Sequence, residues 1–322
     1  MTLPADVYSL VADIGGTNTR VALAEGTVLR EGSIRRYRNA DFPGLESVLR
    51  RYITEAGGVD CAGACVAAAG PVRDGVAHLT NLDWTIDAAL LIRATGAEKV
   101  AILNDLQAQG HALGALAPGS LRSVIEGPEA PAHATKLVIG AGTGFNAAPV
   151  HEAPGGRIVA ASECGHANMP IRTEADLRLA RFVETAHGFP GVEDVLAGRG
   201  LERLYAFAAA EAGTPAEKSA AEIMAALDGG SDPLALEAGR LWVRLCGAEV
   251  GNLALIHLPF GGIYLIGGVA RAFTAHLGRL GFAEAFRDKG RFAGFMQNFS
   301  VSIIEDDYAA LTGCAAYLAS RA

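Results

Sequence analysis

Three glycine-rich turns, each following an apolar stretch, are the first places where this sequence offers chemistry. They are Asp13-Ile-Gly-Gly-Thr17, Gly140-Ala-Gly-Thr-Gly144 and Ile266-Gly-Gly-Val269. Glycine adopts positive φ easily and lets a phosphate approach backbone N–H groups closely. Because ligands of open α/β sheets bind beyond the carboxyl ends of strands, three such turns predict a site for one phosphorylated ligand. For each turn taken singly, an ordinary tight connection remains the alternative.

Two aspartates follow buried strands and are candidates for phosphoryl chemistry. Asp13 ends the first strand, where it is placed to hold a hydrated Mg²⁺ beside a phosphate. Asp105 lies where a strand ending at Leu103 gives way to a helix, whose dipole favours an ionised carboxylate. Such a carboxylate can accept a hydroxyl proton as that oxygen attacks phosphorus. A surface aspartate and a helix N-cap are the alternative interpretations.

A third group of polar side chains is suited to binding sugar hydroxyls. It comprises Glu163 and His166 in Glu163-Cys-Gly-His166, with Glu193 further along the chain. Carboxylate, imidazole and amide groups that converge can pair several hydroxyls, and such a site rejects ligands that lack them. One histidine with scattered acids is too few for a transition-metal site. Solvated surface residues remain the alternative.

The elements that must position these residues alternate between strands and helices. The first part of the chain predicts three strands, the third over 28–37, then crossover helices between further strands, which is typical of a mixed α/β sheet. Residues 117–134 form a connector, and a second α/β region begins at Lys136. Its strand and glycine turn repeat the opening of the first region, which suggests an internal duplication. Residues 234–258 predict a long central helix.

Composition limits the classes of function. The chain has 322 residues, 50% hydrophobic, and its net charge of −8 leaves no basic face for nucleic acid. No apolar run is long enough to span a membrane, and the N-terminus does not resemble a secretory leader. The five cysteines show no C-x-x-C spacing, which predicts reduced thiols and no zinc site. We therefore expect a cytoplasmic protein that binds a small molecule.

Other nucleotide-binding motifs do not fit the sequence. No G-x-x-x-x-G-K-[ST] motif is present, which excludes a P-loop protein. The second glycine turn lacks the last glycine of G-x-G-x-x-G, and the prolines that follow it argue against a Rossmann helix. The motifs of protein kinases are absent as well.

Taken together, the motifs resemble those of the bacterial glucokinases in the hexokinase and actin-like ATPase superfamily. The resemblance runs from about residue 6 to the C-terminus. Besides the motifs above, it rests on the following segments: Ala69-Gly-Pro71, Thr80-Asn81, Leu103-Asn-Asp105, Glu193-Asp-Val-Leu-Ala-Gly198, Gly251-Asn-Leu-Ala-Leu255, Gly261-Gly-Ile-Tyr-Leu-Ile-Gly-Gly268 and Phe286-Arg-Asp-Lys-Gly-Arg-Phe292.

The resemblance implies an α/β fold of two domains, the actin-like ATPase (ribonuclease H-like) fold, with an interdomain cleft that closes on the sugar. The small domain would comprise residues 1–115, completed by residues 307–322, and the large domain residues 116–306. The resemblance also implies a homodimer.

The activity that the resemblance implies is phosphorylation of glucose at its 6-hydroxyl, with ATP and Mg²⁺ as cofactors and Asp105 as general base. The implied sugar-binding residues are Asn81, Asn104, Asp105, Glu163, His166 and Glu193. The implied nucleotide-binding residues are Asp13, Gly15, Gly16, Thr17, Asn18, Gly142, Thr143, Gly144, Gly267 and Gly268. Asp13 would also hold Mg²⁺ through water.

Two departures from the family pattern leave the substrate open. The sugar loop reads Ser162-Glu-Cys-Gly-His166, so that a thiol replaces a glycine between the two sugar ligands. The second turn continues as Phe145-Asn-Ala-Ala-Pro149, and Pro149 is expected to shorten or displace the strand. A kinase for another hexose or amino sugar therefore remains an alternative. A non-catalytic sugar-binding regulator with the same fold is the second alternative, although such a protein would not need Asp105.

Overall fold

A computed structural model of the chain describes residues 7–79, 82–117 and 119–321. The chain divides into two compact units. Unit 1 comprises Met1–Ser120, Ala153–Ala161 and Asp306–Ala322, and unit 2 comprises Leu121–Glu152 and Ser162–Glu305. Within the described ranges, no helix combines the length and the hydropathy needed to cross a membrane.

The described residues form fifteen strands and twelve α-helices, with an unbroken run of helices from α4 to α8. The strands are β1 Tyr8–Ile14, β2 Asn18–Glu25, β3 Val28–Leu29, β4 Arg35–Arg38, β5 Cys61–Ala68, β6 Val72–Arg73, β7 Val76–His78, β8 Thr85–Ile86, β9 Lys99–Asn104, β10 Leu121–Ile125, β11 Lys136–Ala141, β12 Phe145–Ala153, β13 Gly156–Val159, β14 Ile263–Ile266 and β15 Val301–Ile304. The helices are α1 Leu45–Glu55, α2 Ala88–Thr95, α3 Asp105–Ala112, α4 Glu174–His187, α5 Glu193–Leu196, α6 Gly198–Glu211, α7 Ala220–Gly229, α8 Pro233–His257, α9 Gly268–Ala272, α10 Thr274–Leu277, α11 Phe282–Arg287 and α12 Ala309–Ala319.

The main sheet of unit 1 is mixed and has the order β3-β2-β1-β5-β9, with β4 pairing β2. β1 and β2 form an antiparallel hairpin around the first glycine turn, whereas β1, β5 and β9 run parallel. Asp13 lies opposite Ala67, and Ala67 lies opposite Leu103, in one row across the sheet. The register therefore brings Asp13 and Asp105 to the same edge, at the carboxyl ends of β1 and β9.

The main sheet of unit 2 repeats this plan. β11 and β12 form an antiparallel hairpin around the second glycine turn, and β11, β14 and β15 run parallel. The order β12-β11-β14-β15 therefore corresponds to β2-β1-β5-β9 in unit 1. This equivalence agrees with the internal duplication that the sequence suggests.

Successive residues of the unit 1 strands alternate between two cores, as the period of a strand requires. Leu10 belongs to the core formed with α1 and α2, whereas its neighbour Val11 belongs to the core formed with α12. Unit 2 is organised around α8, whose Trp242 is fully buried and stacks on Phe273. The central helix predicted over 234–258 is confirmed as α8.

Two local predictions are wrong. The expected third strand over 28–37 is interrupted at Gly32, whose φ of 69° is left-handed, so β3 and β4 are separate. Pro149 does not shorten its strand, because it pairs Leu137 within the nine-residue β12. The Leu137 N–H is directed to the Gly262 carbonyl, away from β12, so this pair exchanges no hydrogen bond that proline would remove.

The division into units also differs from the predicted domain boundaries. Ala153–Ala161 lies inside the predicted large domain, yet it groups with unit 1. The reason is a set of hydrogen bonds to α3. Arg157 donates to the carbonyl oxygens of Gly110 and His111, at 3.2 and 3.0 Å, and Gln107 donates to the Val159 carbonyl at 2.9 Å.

Candidate active site

The first glycine turn is closed by the Gly15 N–H, which donates to the Asn18 carbonyl at 3.0 Å. Gly16 and Thr17 are exposed at its tip. Asn39, which the sequence analysis does not identify, stabilises the turn, because its side-chain amide donates to the Gly15 carbonyl at 2.8 Å. Asn39 is buried and distant in sequence, so no local pattern could have identified it. The turn is thus a preformed loop whose exposed tip is available to a ligand.

Asp13 lies directly before this turn and faces Arg20 across the β1–β2 hairpin. The guanidinium of Arg20 is 3.3 Å from the Asp13 carboxylate, and the Asp13 side chain is 19% exposed. Burial raises the pKa of Asp13 above its usual value, and Arg20 partly opposes that shift. Arg20 therefore favours an ionised carboxylate that remains partly accessible.

Asn104 and Asp105 lie at the start of α3. Asn104 is the N-cap: its side chain accepts the Leu106 N–H at 3.0 Å, and Gln107 completes a capping box. Asp105 is the first helical residue, and its Oδ1 accepts the Leu106 N–H at 2.8 Å. The alternative in which Asp105 serves only as N-cap is therefore wrong. The Asn104 amide also donates to the Gly70 carbonyl at 3.0 Å, which ties α3 to the end of β5.

The environment of Asp105 is suited to a proton acceptor. Burial raises the pKa of Asp105 to about 6, the nearby Asp13 charge adds to the rise, and hydrogen bonds from Leu106 and Asn104 oppose it. A general base works best when its pKa lies close to the operating pH. Asp105 is therefore ionised at neutral pH, yet more basic than an exposed aspartate.

The close packing of α12 on α3 fixes the helix that carries Asp105. Gly313 of α12 lies so close to α3 that a Cβ there would overlap the Ala108 carbonyl, one turn after Asp105. The His111 and Tyr317 rings pack edge to face between the same two helices. The sequence signal for this approach is an isolated glycine inside a helix, which often marks close packing.

In unit 2, the second and third glycine turns lie side by side. Gly142 N–H donates to the Gly144 carbonyl at 2.9 Å, which closes the second turn. The third turn begins at Gly267, whose φ of 110° and close approach to the Ala141 carbonyl exclude a side chain. A Cβ at Gly142 would lie 3.8 Å from the Gly268 nitrogen. Thr143 is exposed beside them. The two turns thus form one glycine-lined surface.

The predicted sugar ligands of unit 2 lie beside the second turn. Glu193 Oε2 accepts the Phe145 N–H at 2.9 Å, and a Cβ at Gly144 would approach that oxygen to 2.6 Å. Glu163 precedes a 3₁₀ turn that ends at His166, with 4.0 Å between a Glu163 carboxylate oxygen and His166 Nε2. Both side chains are about two-thirds exposed, at 68% and 70%. Both side chains are therefore accessible to a ligand.

The structure thus assembles the predicted residues within each unit. Asp13, Asp105 and the first turn share one sheet edge of unit 1. Glu163, His166 and Glu193 adjoin the second turn of unit 2. The predicted sugar ligand Asn81 lies outside the described residues. In the part of the chain that is described, no three His, Cys, Asp or Glu residues cluster as a set of metal ligands.

Comparison with known proteins shows similarity to the glucokinase family. The sequence profile of the glucokinase family matches residues 10–321. The chain is 34% identical to the glucokinase of Saccharophagus degradans over 313 residues, an alignment that covers 96% of this chain and 97% of that protein. It is 32% identical to the glucokinase of Sinorhizobium fredii over 309 residues, which cover 96% of this chain and 91% of that protein.

Solved structures give the same result for the fold. A glucokinase from an Antarctic psychrotroph is 29% identical and has a TM-score of 0.86, with 97% of this chain and 98% of that chain covered. The glucokinase of Balamuthia mandrillaris, solved in complex with glucose, is 22% identical, with a TM-score of 0.81 and coverage of 98% and 94%. This second likeness supports the fold alone.

Proposed function

The chain belongs to the glucokinase family, and on that premise we propose that it transfers the γ-phosphoryl group of Mg-ATP to the 6-hydroxyl of glucose, giving glucose 6-phosphate. The observation that carries the proposal is Asp105, a partly buried carboxylate with a raised pKa at the start of α3. A non-catalytic sugar-binding protein would gain nothing from such a group.

In the proposed reaction, Asp105 accepts the proton of the 6-hydroxyl as that oxygen attacks phosphorus. Phosphoryl transfer needs little covalent chemistry from the protein, so positioning and a base make up most of its contribution. Asn104 anchors α3 to Gly70 and leaves one amide hydrogen available for a sugar hydroxyl. The packing of Gly313 on Ala108 keeps the base from shifting.

The glycine turns are suited to hold the phosphates of ATP. Gly15, Gly16, Thr17 and Asn18 form one turn, and Gly142, Thr143 and Gly144 form the other. In both turns, the glycines carry no side chain that would keep a phosphate away from the backbone. The backbone N–H groups can therefore donate to phosphate oxygens. We assign Gly267 and Gly268 to the adenosine side of the nucleotide.

The residues present also fit Mg²⁺. This ion keeps several waters and binds through one or two carboxylates together with substrate phosphates, so a single partly exposed carboxylate suffices. We propose that Asp13 holds the ion through water. When bound, Mg²⁺ neutralises charge on the transferred phosphoryl group.

Glu163, His166 and Glu193 are proposed to bind the remaining sugar hydroxyls. Glu193 Oε2 is engaged by the Phe145 N–H, so Oε1 is the oxygen that can accept from the sugar. Carboxylates that accept in this way discriminate against sugars that lack the matching hydroxyl. Asn81 is included on the resemblance alone.

Compartment and assembly complete the proposal. All five cysteines are free thiols, which supports the reducing cytoplasm as the location. The homodimer that the resemblance implies remains a prediction.

Assay of ADP release against a panel of hexoses tests the choice of substrate. With Mg-ATP, we expect kcat/KM to be highest for glucose among glucose, mannose, fructose, glucosamine and N-acetylglucosamine. Turnover highest on another sugar would keep the mechanism but refute glucose as the substrate. Sugar binding without turnover on any of the five would refute the kinase and favour a regulator.

A further inference from the structure

The side chain of Asn146, the second residue of β12, lies against the segment Ser162–His166, which we call the sugar loop. Its Nδ2 donates to the Ser162 carbonyl and, at 3.1 Å, to Glu163 Oε2. Its Oδ1 accepts the Cys164 N–H at 3.1 Å. A single side chain thus contacts three consecutive residues of the sugar loop.

The orientation of the Asn146 amide follows from its partners. Both hydrogens of Nδ2 are used, one by the Ser162 carbonyl and one by the Glu163 carboxylate, which are acceptors only. Oδ1 faces two backbone donors, the N–H groups of Cys164 and Ala147. If the amide were flipped, Oδ1 would face the acceptor oxygens of Ser162 and Glu163, and Nδ2 would face the two backbone N–H donors. The network therefore fixes the amide orientation.

The Cys164 thiol is part of this network and faces the core of unit 2. Its Sγ donates to Asn146 Oδ1 at 3.4 Å, and the side chain packs against the core of unit 2. The two departures from the family pattern, Asn146 and Cys164, are therefore partners.

The sugar loop is confined from a second side as well. A Cβ at Gly165 would overlap the Phe145 carbonyl and lie 3.4 Å from Glu193 Cβ. The loop backbone therefore packs directly on the first residue of β12, next to Asn146. Hydrogen bonds on one side and close backbone packing on the other leave the loop little freedom.

We propose that Asn146 is a positioning residue for sugar binding, which acts by orienting the Glu163 carboxylate. By donating to Oε2, the amide fixes the carboxylate and leaves Oε1 to accept a sugar hydroxyl. Preorganisation of this kind strengthens binding because less side-chain freedom is lost when the ligand arrives. The inference rests on the proposed function, since it takes Glu163 as a sugar ligand.

Replacement Asn146→Ala tests the proposal by calorimetry with glucose and by steady-state kinetics with ATP. We expect the glucose Kd to rise about tenfold, which is the effect of losing one hydrogen bond to a charged group. The KM for ATP should change less than about twofold, because the phosphate turns are untouched. A merely structural role would instead weaken both ligands together and lower the melting temperature.

Two further variants make the test specific. Asn146→Asp keeps the acceptor for the Cys164 and Ala147 N–H groups but sets a second carboxylate against Glu163, so the glucose Kd should rise at least as much. In a Glu163→Gln background, Asn146→Ala should have a smaller effect, because the positioned group is already changed. Asn298→Ala removes an amide that bonds only the nearby Phe295 carbonyl among the described hydrogen bonds, and should change neither ligand.

The outcomes separate this inference from the proposed function. A glucose Kd within twofold of wild type for both Asn146 variants would overturn the inference, whatever the turnover. If the wild-type protein bound glucose without phosphorylating it, the proposed kinase activity would be refuted. The ratios of the glucose Kd between each Asn146 variant and wild type would still decide the role of Asn146. Absence of glucose binding by the wild-type protein would overturn both.

Discussion

Replacement of Asp105 by asparagine is expected to lower kcat for glucose phosphorylation by a factor of about 10² to 10⁴, the usual contribution of a general base. Asparagine has nearly the same shape and can still accept the Leu106 N–H, but it cannot accept the hydroxyl proton. The glucose Kd, measured by calorimetry, should therefore change less than about threefold. Retained turnover in this variant would refute Asp105 as the base.

Asp87→Asn is the matched control for this substitution. Asp87 caps α2 by accepting the Leu90 N–H at 2.7 Å, so both substitutions alter an aspartate at a helix N-terminus of unit 1. Since asparagine caps helices about as well as aspartate, Asp87→Asn should leave kcat unchanged. A comparable loss in both variants would point to helix stability rather than to proton transfer.

The raised pKa of Asp105 also predicts the pH dependence of the wild-type enzyme. With a pKa of about 6, the base is protonated below that pH, so kcat/KM should fall about tenfold per unit there and level off above pH 7.

The folded state binds this proton more tightly than the unfolded state, so stability falls as pH rises from about 4 to 6. Asp105→Asn should therefore raise the free energy of unfolding at pH 7.5, because asparagine carries no charge that is disfavoured in the folded state.

Replacement of Gly313 by alanine is expected to lower the free energy of unfolding by about 3 kcal/mol and to impair catalysis. A Cβ at this position overlaps the Ala108 carbonyl and lies 3.2 Å from the Ala112 nitrogen, so α12 and α3 must separate. Because Asp105 begins α3, this shift displaces the base, and kcat should fall even at temperatures where the variant remains folded. Urea unfolding and steady-state kinetics measure the two effects.

Gly278→Ala is the control for Gly313→Ala. Gly278 also has a helical φ, of −63°, but a Cβ there meets no atom within 4 Å. We expect its unfolding free energy to stay within about 0.5 kcal/mol of wild type. An unfolding midpoint for Gly313→Ala equal to that of the control would contradict the close packing of α12 on α3.

Features that depend on neighbouring residues could be predicted from the sequence. An apolar run followed by glycines predicts a strand and a tight turn, and the hairpins at Gly15 and Gly142 follow this rule. The pair Asn104-Asp105 marked the start of a helix correctly. Which of the two residues would cap α3 could not be decided, since asparagine and aspartate cap helices about equally well.

Features that depend on distant partners could not be predicted. Asn39 bonds Gly15, which lies 24 residues away, and Asn146 bonds Glu163 across 17 residues. Nothing beside either asparagine in the sequence indicates these contacts. The grouping of segment 153–161 with unit 1 is of the same kind, because it depends on Arg157 reaching the carbonyls of α3.

The position of the phosphate in the product tests the central claim most directly. Wild-type protein is incubated with glucose and Mg-ATP, and the product is analysed by phosphorus–proton correlation NMR. The account predicts one sugar phosphate, with phosphorus coupled to the protons of carbon 6. Phosphorus coupled to any other position, or ADP formation without a sugar phosphate, would contradict it.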